Sequence, residues 1–386
     1  MHTATTHHYD FIIAGSGCAG LSLLYQMITN GVLEHKSVLV IDPSDKTEND
    51  RTWCYWEKEP GPFESIVHHR WNTLDFFGPD LHRRIQLQEY SYKMIKGINF
   101  YEYVLNKARQ HTGVTFSQAA VTSLTVANGV AVAETPTGVY TAEYLFNSTS
   151  LLQPTMTITD TLLQHFTGWV VQTPEPAFDP TVGTLMDFRI EQKDGATFMY
   201  VLPTSETTAL VEYTLFSPAV LKKQQYEQEL RAYLKDTLLL KEYQISEQEY
   251  GVIPMTLQQF AKHHQRHIIN IGTAGGHTKA SSGYTFQFVQ QHVADIVRNI
   301  GMNKHPLAGQ SFRKKVFDWY DRTLLEVLLS GRMDGREVFT TMFEKIPGEK
   351  ILSFLANESS WIDDLHIMSS LPTTKFFPAG FKQLFS

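Results

Sequence analysis

Cysteine is nearly absent. Cys18 and Cys54 are the only two thiols in 386 residues. With no secretory leader ahead of them, they argue against a disulfide framework and for a reducing interior. Long apolar runs are missing too; none approaches the roughly 20 residues a bilayer-spanning helix needs. Positive charge is not in excess: 33 Lys and Arg against 40 Asp and Glu leave a formal net charge of −7. Nothing therefore draws the whole chain toward nucleic acid or an anionic lipid surface. No repeat and no low-complexity linker is present. The opening MHTATTHH is polar, and its histidines are expected to be solvated, not metal-bound. A hydrophobic share of 42 % is ordinary for a folded chain, and the length exceeds what one core usually serves. Two domains, or one with a large insertion, are expected.

What is present begins at residue 9, in YDFIIAGSGCAGLSLLYQMITN. Tyr9–Ala14 reads as a buried parallel strand. Gly15, Gly17 and Gly20 then give G-x-G-x-x-G, with Ala19 inside it. Leu21, Leu24, Tyr25 and Ile28 recur at helical spacing, and a second strand, Ser37–Ile41, ends in Asp42. This is the strand–turn–helix–strand setting of a dinucleotide site. Gly15 permits the tight turn, Gly17 lets backbone approach a pyrophosphate, and Gly20 lets helix and strand pack. The helix N-terminus offers unpaired N–H groups to the phosphates. Asp42 would accept the ribose hydroxyls.

A second glycine-rich segment decides which dinucleotide. His267–Ile271 reads as a strand, Gly272–Gly283 as a loop, and Tyr284 onward as a helix. A nicotinamide dehydrogenase has no need of it. Flavoproteins of the hydroxylase and reductase type do: a late strand–loop–helix returns to hold the ribityl chain and flavin of FAD. Gly272, Thr273, Gly276 and Gly283 are the candidate contacts, with Thr273 standing where many such loops carry Asp.

The expected architecture is therefore α/β: a Rossmann-like FAD-binding domain, an inserted antiparallel sheet and a helical C-terminal region. Residues 1–75 begin the FAD domain, 76–96 make an excursion toward the substrate domain, and 97–155 return. Residues 156–248 form the antiparallel-sheet substrate domain, with a helix near 222–240. Residues 249–304 complete the FAD domain, EQEYGVIPMT being a strand that returns toward the flavin. Residues 305–386 are helical.

One residue stands out. TALVEYTLF, 208–216, is strand-like throughout except for Glu212. Alternation puts Leu210, Glu212, Thr214 and Phe216 on one face and Ala209, Val211, Tyr213 and Leu215 on the other. A buried, unpaired carboxyl usually keeps its proton. Either Glu212 is a functional acid in the roof of the flavin site, or Arg189, Arg70 or solvent satisfies it.

NDRTWCYWE (49–57), LVEYTLF (210–216), EYGVIPM (249–255) and GTAGGHTKASSGYTF (272–286) together resemble the lycopene cyclase family of carotenoid biosynthesis. The likeness runs in order from the fingerprint to FLANESSWIDDL (354–365). It implies cyclisation of the ends of linear lycopene, or a related carotenoid, to ionone rings, β above all, without net oxidation. It also implies reduced FAD, typically supplied with electrons by NAD(P)H. Glu212 matches the family's acidic position and would donate the proton. Trp53, Tyr55, Trp56 and Tyr213 are candidate aromatic faces for the cation. Arg51 would reach the FAD phosphates or pair with Asp50.

Two departures from the family pattern stand in the sequence. Tyr213 replaces a second acid after Glu212. Ala280 replaces the proline of Pro-Ser-Thr-Gly-Tyr, which should loosen the loop. The substrate implies a cytoplasmic enzyme peripherally attached to membrane. Lys375–Phe385 would either dip into the bilayer or dock as a helix on the core. Two alternatives remain at this point: a redox monooxygenase, halogenase or desaturase on the same fold, and a non-catalytic flavin or carotenoid carrier.

Overall fold

The computed structural model describes residues 6–307 and 311–385. The strands fall into three sheets. The first holds β1 (Thr6–Ala14), β2 (Val38–Ile41), β8 (Val114–Ser117), β9 (Ser123–Ala127), β10 (Val130–Thr135), β11 (Gly138–Asn147), β17 (His263–His264) and β18 (Ile268–Asn270). Its centre is parallel, in the order β18-β11-β1-β2-β8. β1 shows why: from Phe11 to Ala14 both faces are covered, so that half of the strand is apolar. Phe11 and Ile13 pack on α1 (Cys18–Thr29), α2 (Gly97–Arg109) and α4 (Phe286–Gly301), while Ile12 and Ala14 face the β9–β10 ribbon. β1 starts three residues before the strand expected at Tyr9. His7 and His8 are exposed on it, and His8 Nδ1 lies 3.0 Å from Thr141 Oγ1. Residues 1–5 of the polar opening lie outside the described residues.

The second sheet joins β5 (Thr73–Phe77), β6 (His82–Gln86), β12 (Thr161–Gln172), β13 (Val182–Asp187), β14 (Ala196–Ser205), β15 (Thr208–Ser217) and β16 (Gln244–Thr256). The order is β16-β12-β15-β14-β13-β5-β6, antiparallel apart from β13–β5. One face packs on α3 (Lys223–Asp236). The other packs on the C-terminal helices and on the third, small sheet: β3 (Thr52–Glu57), β4 (His69–Trp71) and β7 (Ser91–Lys96).

Two strands fall outside their expected places. β5 begins inside the range assigned to the nucleotide-binding part. β16 was expected to return to the flavin from residue 249; instead it stays in the second sheet to Thr256. Its ladder with β12 runs from Thr161↔Thr256 to Gln172↔Gln244, and Pro254 is tolerated because β16 is the edge strand.

The C-terminal helices are α5 (Phe312–Leu329), α6 (Gly335–Lys345), α7 (Gly348–Leu355), α8 (Trp361–Ser370) and α9 (Thr373–Leu384). Ser311, Asp334 and Ser360 cap α5, α6 and α8 with side-chain oxygens. No helix among the described residues is long and apolar enough to cross a membrane.

Candidate active site

Four parallel strands end together at one edge of the first sheet. Ala14, Ile41, Asn147 and Asn270 lie in register there. Open α/β sheets bind ligands at such an edge. Gly15, with φ +97°, turns the chain; a Cβ on it would stand 2.3 Å from Ser148 Oγ. A Cβ on Gly20 would stand 1.9 Å from the Gly15 carbonyl oxygen, so α1 packs directly on the turn. Gly17 faces open space, with nothing within 4 Å of where its Cβ would be. α1 starts one residue later with its free N–H groups aimed at that space, a cradle of the right kind for phosphate. The Asp42 carboxylate accepts from the Ser16 and Ser44 amides at 2.6 and 2.8 Å, and Lys46 Nζ lies 3.5 Å away.

The late loop reaches the same edge. A Cβ on Gly272 would meet Ala19 Cβ at 2.6 Å. The Thr273 carbonyl accepts from the Gly276 amide at 3.1 Å. Gly283 lies under β12, where a Cβ would strike Gln164 Oε1. Here buried polar atoms stand without partners among the described residues: Ser282 Oγ, Gln164 Oε1 and both amide atoms of Gln287. Such atoms are normally satisfied. The pyrimidine edge of a flavin, with its alternating donors and acceptors, would satisfy them. Arg51 stands apart: half exposed, its Nε is 3.9 Å from Asp50 Oδ2.

Glu212 stands on one rung of the second sheet. Tyr200, Glu212, Gly168 and Glu249 are opposite one another on β14, β15, β12 and β16, so they share a face. Gly168 separates the two acids. A Cβ there would lie 3.0 Å from Glu249 Cγ and 3.1 Å from Glu249 Oε1. Its absence leaves the space between the two carboxyl-bearing side chains free. Thr214 Oγ1 donates to Glu212 Oε1 at 2.6 Å. Both acids keep some accessible surface, yet lost hydration is the largest influence on each. Burial pushes Glu212 well above the ordinary carboxylate range, and the charge of Glu249 pushes it further. Burial raises Glu249 as well, opposed by the bonds from Thr52 and Glu212. Both members of the pair are pushed up, Glu212 further than Glu249, so Glu212 is the member that holds its proton more tightly.

The alternatives for Glu212 fall away. Arg189 is on Asp187 at 2.6 Å and Arg70 on Glu64 at 2.9 Å. β15 is interior to the sheet, not at its edge. Tyr213 points to the opposite face, against Tyr226 and Leu230 of α3, so the second acid is Glu249 on another strand. Trp53 and Tyr55 pack on Phe286 of α4. Trp56 does approach: its ring meets Tyr284 edge-on at 4.6 Å, and Tyr284 Oη is 3.3 Å from Tyr200 Oη. Cys54, Tyr92, Tyr200 and Tyr284 lie near Glu212, and burial keeps each protonated. Beside the pair a cleft of about 330 Å³ is lined by Thr52, His68, Lys96, Leu210 and Glu247, among others.

The loop that Ala280 was expected to loosen is clamped. Lys279 pairs with Asp321 of α5 at 2.7 Å and bonds Asn357 Oδ1 at 2.6 Å; Ser281 Oγ donates to Asp321 at 2.7 Å. Glu249, Gly168, Tyr92, Tyr200, Tyr284 and this clamp are not found by reading the sequence. One signal was available: a glycine inside a strand such as TLLQHFTGWVVQ marks a close approach.

The parallel sheet with its glycine turn, returning loop and antiparallel roof defines the class of flavin-dependent oxidoreductase-like folds. A geranylgeranyl bacteriochlorophyll reductase-like protein of Thermoplasma acidophilum superposes with a TM-score of 0.63 at 13 % identity, over 98 % of this chain and 99 % of its own. A flavin-dependent brominase does so with a TM-score of 0.60 at 14 % identity, over 94 % and 98 %. Residues 10–379 match the family described as Lycopene cyclase protein, and the chain belongs to that family. A lycopene beta-cyclase of Pseudescherichia vulneris is 23 % identical over 383 residues, 94 % of each chain.

Proposed function

We propose that the protein is a lycopene β-cyclase-like isomerase, an intramolecular lyase that closes ionone rings on linear carotenoids without net redox change. The observation that carries this reading is Glu212, a carboxyl on an interior strand with no cation beside it among the described residues, set opposite Glu249 across Gly168, where lost hydration favours its neutral form. Protonating an alkene needs a neutral acid in a dry site, because water would trap the cation. Glu212 gives its proton to the terminal double bond. The next double bond closes on the cation, and a proton leaves the new ring. Tyr92, Tyr200, Tyr284 and Trp56 offer aromatic faces to the positive charge.

Gly15, Gly17, Ala19, Gly20, Asp42, Gly272, Thr273, Gly276 and Gly283 would hold FAD, with Arg51 the least engaged of the candidates. When bound and reduced, by NAD(P)H, the cofactor supplies negative charge that stabilises a cation. The same reading makes the protein cytoplasmic and peripherally attached to membrane. α9 supports this: Ala379, Gly380 and Gln383 dock it on the core, while Phe377, Phe381, Leu384 and Phe385 stay exposed beside Lys375 and Lys382.

The test is anaerobic incubation with lycopene, FAD and NAD(P)H, followed by mass and absorption of the product. Unchanged mass with a shortened chromophore is expected. One reduced nicotinamide spent per product would instead make it a redox flavoenzyme.

A further inference from the structure

We propose that Glu249 is the second member of the catalytic pair: it keeps the proton on Glu212 between turnovers and takes up the proton that the ring-closed cation sheds. The inference rests on the cyclase reading and deepens it. Two features of the sheet carry it: Glu249 and Glu212 share one rung, and Gly168 leaves the space between them free of a side chain. Glu247 lies on the same face but opposite Val170, held by Lys96 and Asn49, and Tyr213 is turned away, so Glu249 is the carboxyl on the rung of Glu212.

The groups facing the pair fix which member is ionised. Glu212 is surrounded by neutral hydroxyls and a thiol: Tyr200 from β14, Cys54 from β3, Tyr92 from β7 and Tyr284 from the late loop, with Thr214 on its own strand. Glu249 faces Thr52 and the positive Arg51 from the segment leading into β3. The negative Glu247 on its own strand is offset by Lys96 of β7 at 2.8 Å. Thr52 and Glu247 also line the cleft.

The step balances without an outside reagent. The Glu212 O–H bond breaks and a C–H bond forms at the terminal alkene carbon, leaving a cation. The pair of electrons of the next double bond forms the ring C–C bond. A ring C–H bond then breaks; its electrons restore a double bond and its proton goes to the Glu249 carboxylate. The protonated and the released carbon flank the same ring carbon, so donor and acceptor must be adjacent, as two carboxyls over one glycine are. Passing the proton from Glu249 back to Glu212 resets the pair.

Glu249→Gln tests this. The variant should fold and hold flavin, with kcat down at least a hundredfold. Removing the neighbouring charge lowers the Glu212 pKa, so the alkaline limb of the pH–kcat profile should move to lower pH. Water-trapped or differently deprotonated products should appear. Glu249→Asp keeps the charge, so its limb should stay near the wild-type position while kcat falls. A Gln variant with unchanged pH midpoint and product pattern would overturn the proposal. Infrared titration of the wild type gives a readout without turnover: one protonated carboxyl that persists above the ordinary carboxylate range and is absent in Glu212→Gln. Finding none at neutral pH would also overturn it. Failure of the wild type to cyclise lycopene while that band is present would strike the cyclase reading, not the pair.

Discussion

Burial, and after it the charge of Glu249, push the Glu212 carboxyl toward its neutral form, and two substitutions probe that state. Its pKa is raised in the folded chain. The folded state therefore binds this proton more tightly than the unfolded one. The stability that the proton contributes is complete below the unfolded pKa and is lost as pH rises through the folded pKa. Glu212→Gln removes that loss. At neutral pH its melting temperature should be no lower than wild type and its flavin content normal, while cyclisation falls by about 10²–10⁴-fold. A drop in melting temperature with activity falling only in step would mark Glu212 as structural. Gly168→Ala sets a methyl 3.0 Å from Glu249 Cγ and from Leu210 Cδ1. It should wedge the carboxyls apart, costing about a hundredfold in kcat and about 1–3 kcal/mol in stability. Turnover and denaturant midpoint on one preparation check both figures. At this scale Glu212 was legible because a lone charge in an apolar strand breaks a local pattern. Glu249 was not, because its strand is polar along one stretch and its partner is two strands away.

Among the elements, the late loop and α9 carry the clearest expectations. Lys279 and Asp321 are a buried ion pair that ties the loop to α5. Asp321→Ala leaves Lys279 buried without its counter-ion and should cost about 3–5 kcal/mol, with weaker flavin binding in the fraction that folds. Chemical denaturation and a flavin titration measure the two effects. On α9, Phe377→Asp combined with Phe381→Asp changes only exposed positions. It should leave the unfolding free energy within about 1 kcal/mol of wild type and abolish co-sedimentation with phospholipid vesicles. Retained binding would move the membrane contact elsewhere. Strands such as β1 and β15 were readable from period and turn residues. The placement of β16 was not: its Pro-Met run suits either sheet, and only the full ladder with β12 decides.

For the whole molecule, cofactor and fold should be coupled. If FAD occupies the proposed site, assembled from segments more than 250 residues apart, Gly15–Gly20 and Gly272–Gly283, added FAD should raise the melting temperature by mass action. Gly17→Val puts a side chain into the open cradle. It should remove that shift and the bound flavin absorbance while leaving the apo fold intact. An FAD-dependent shift in the valine variant would show that the pyrophosphate lies elsewhere.

The sequence alone determined the glycine turn, the returning loop, the alternating strand that carries Glu212 and the likeness to carotenoid cyclases. Each is a short-range pattern of residue type and spacing, and local steric rules make such patterns readable. Tertiary structure decided the rest: that Tyr213 faces α3, that Lys279 and Asp321 hold the loop despite Ala280, and that Glu249 meets Glu212 across Gly168. Those depend on strand order and register. Register is set by how whole faces pack, and no single segment contains that information.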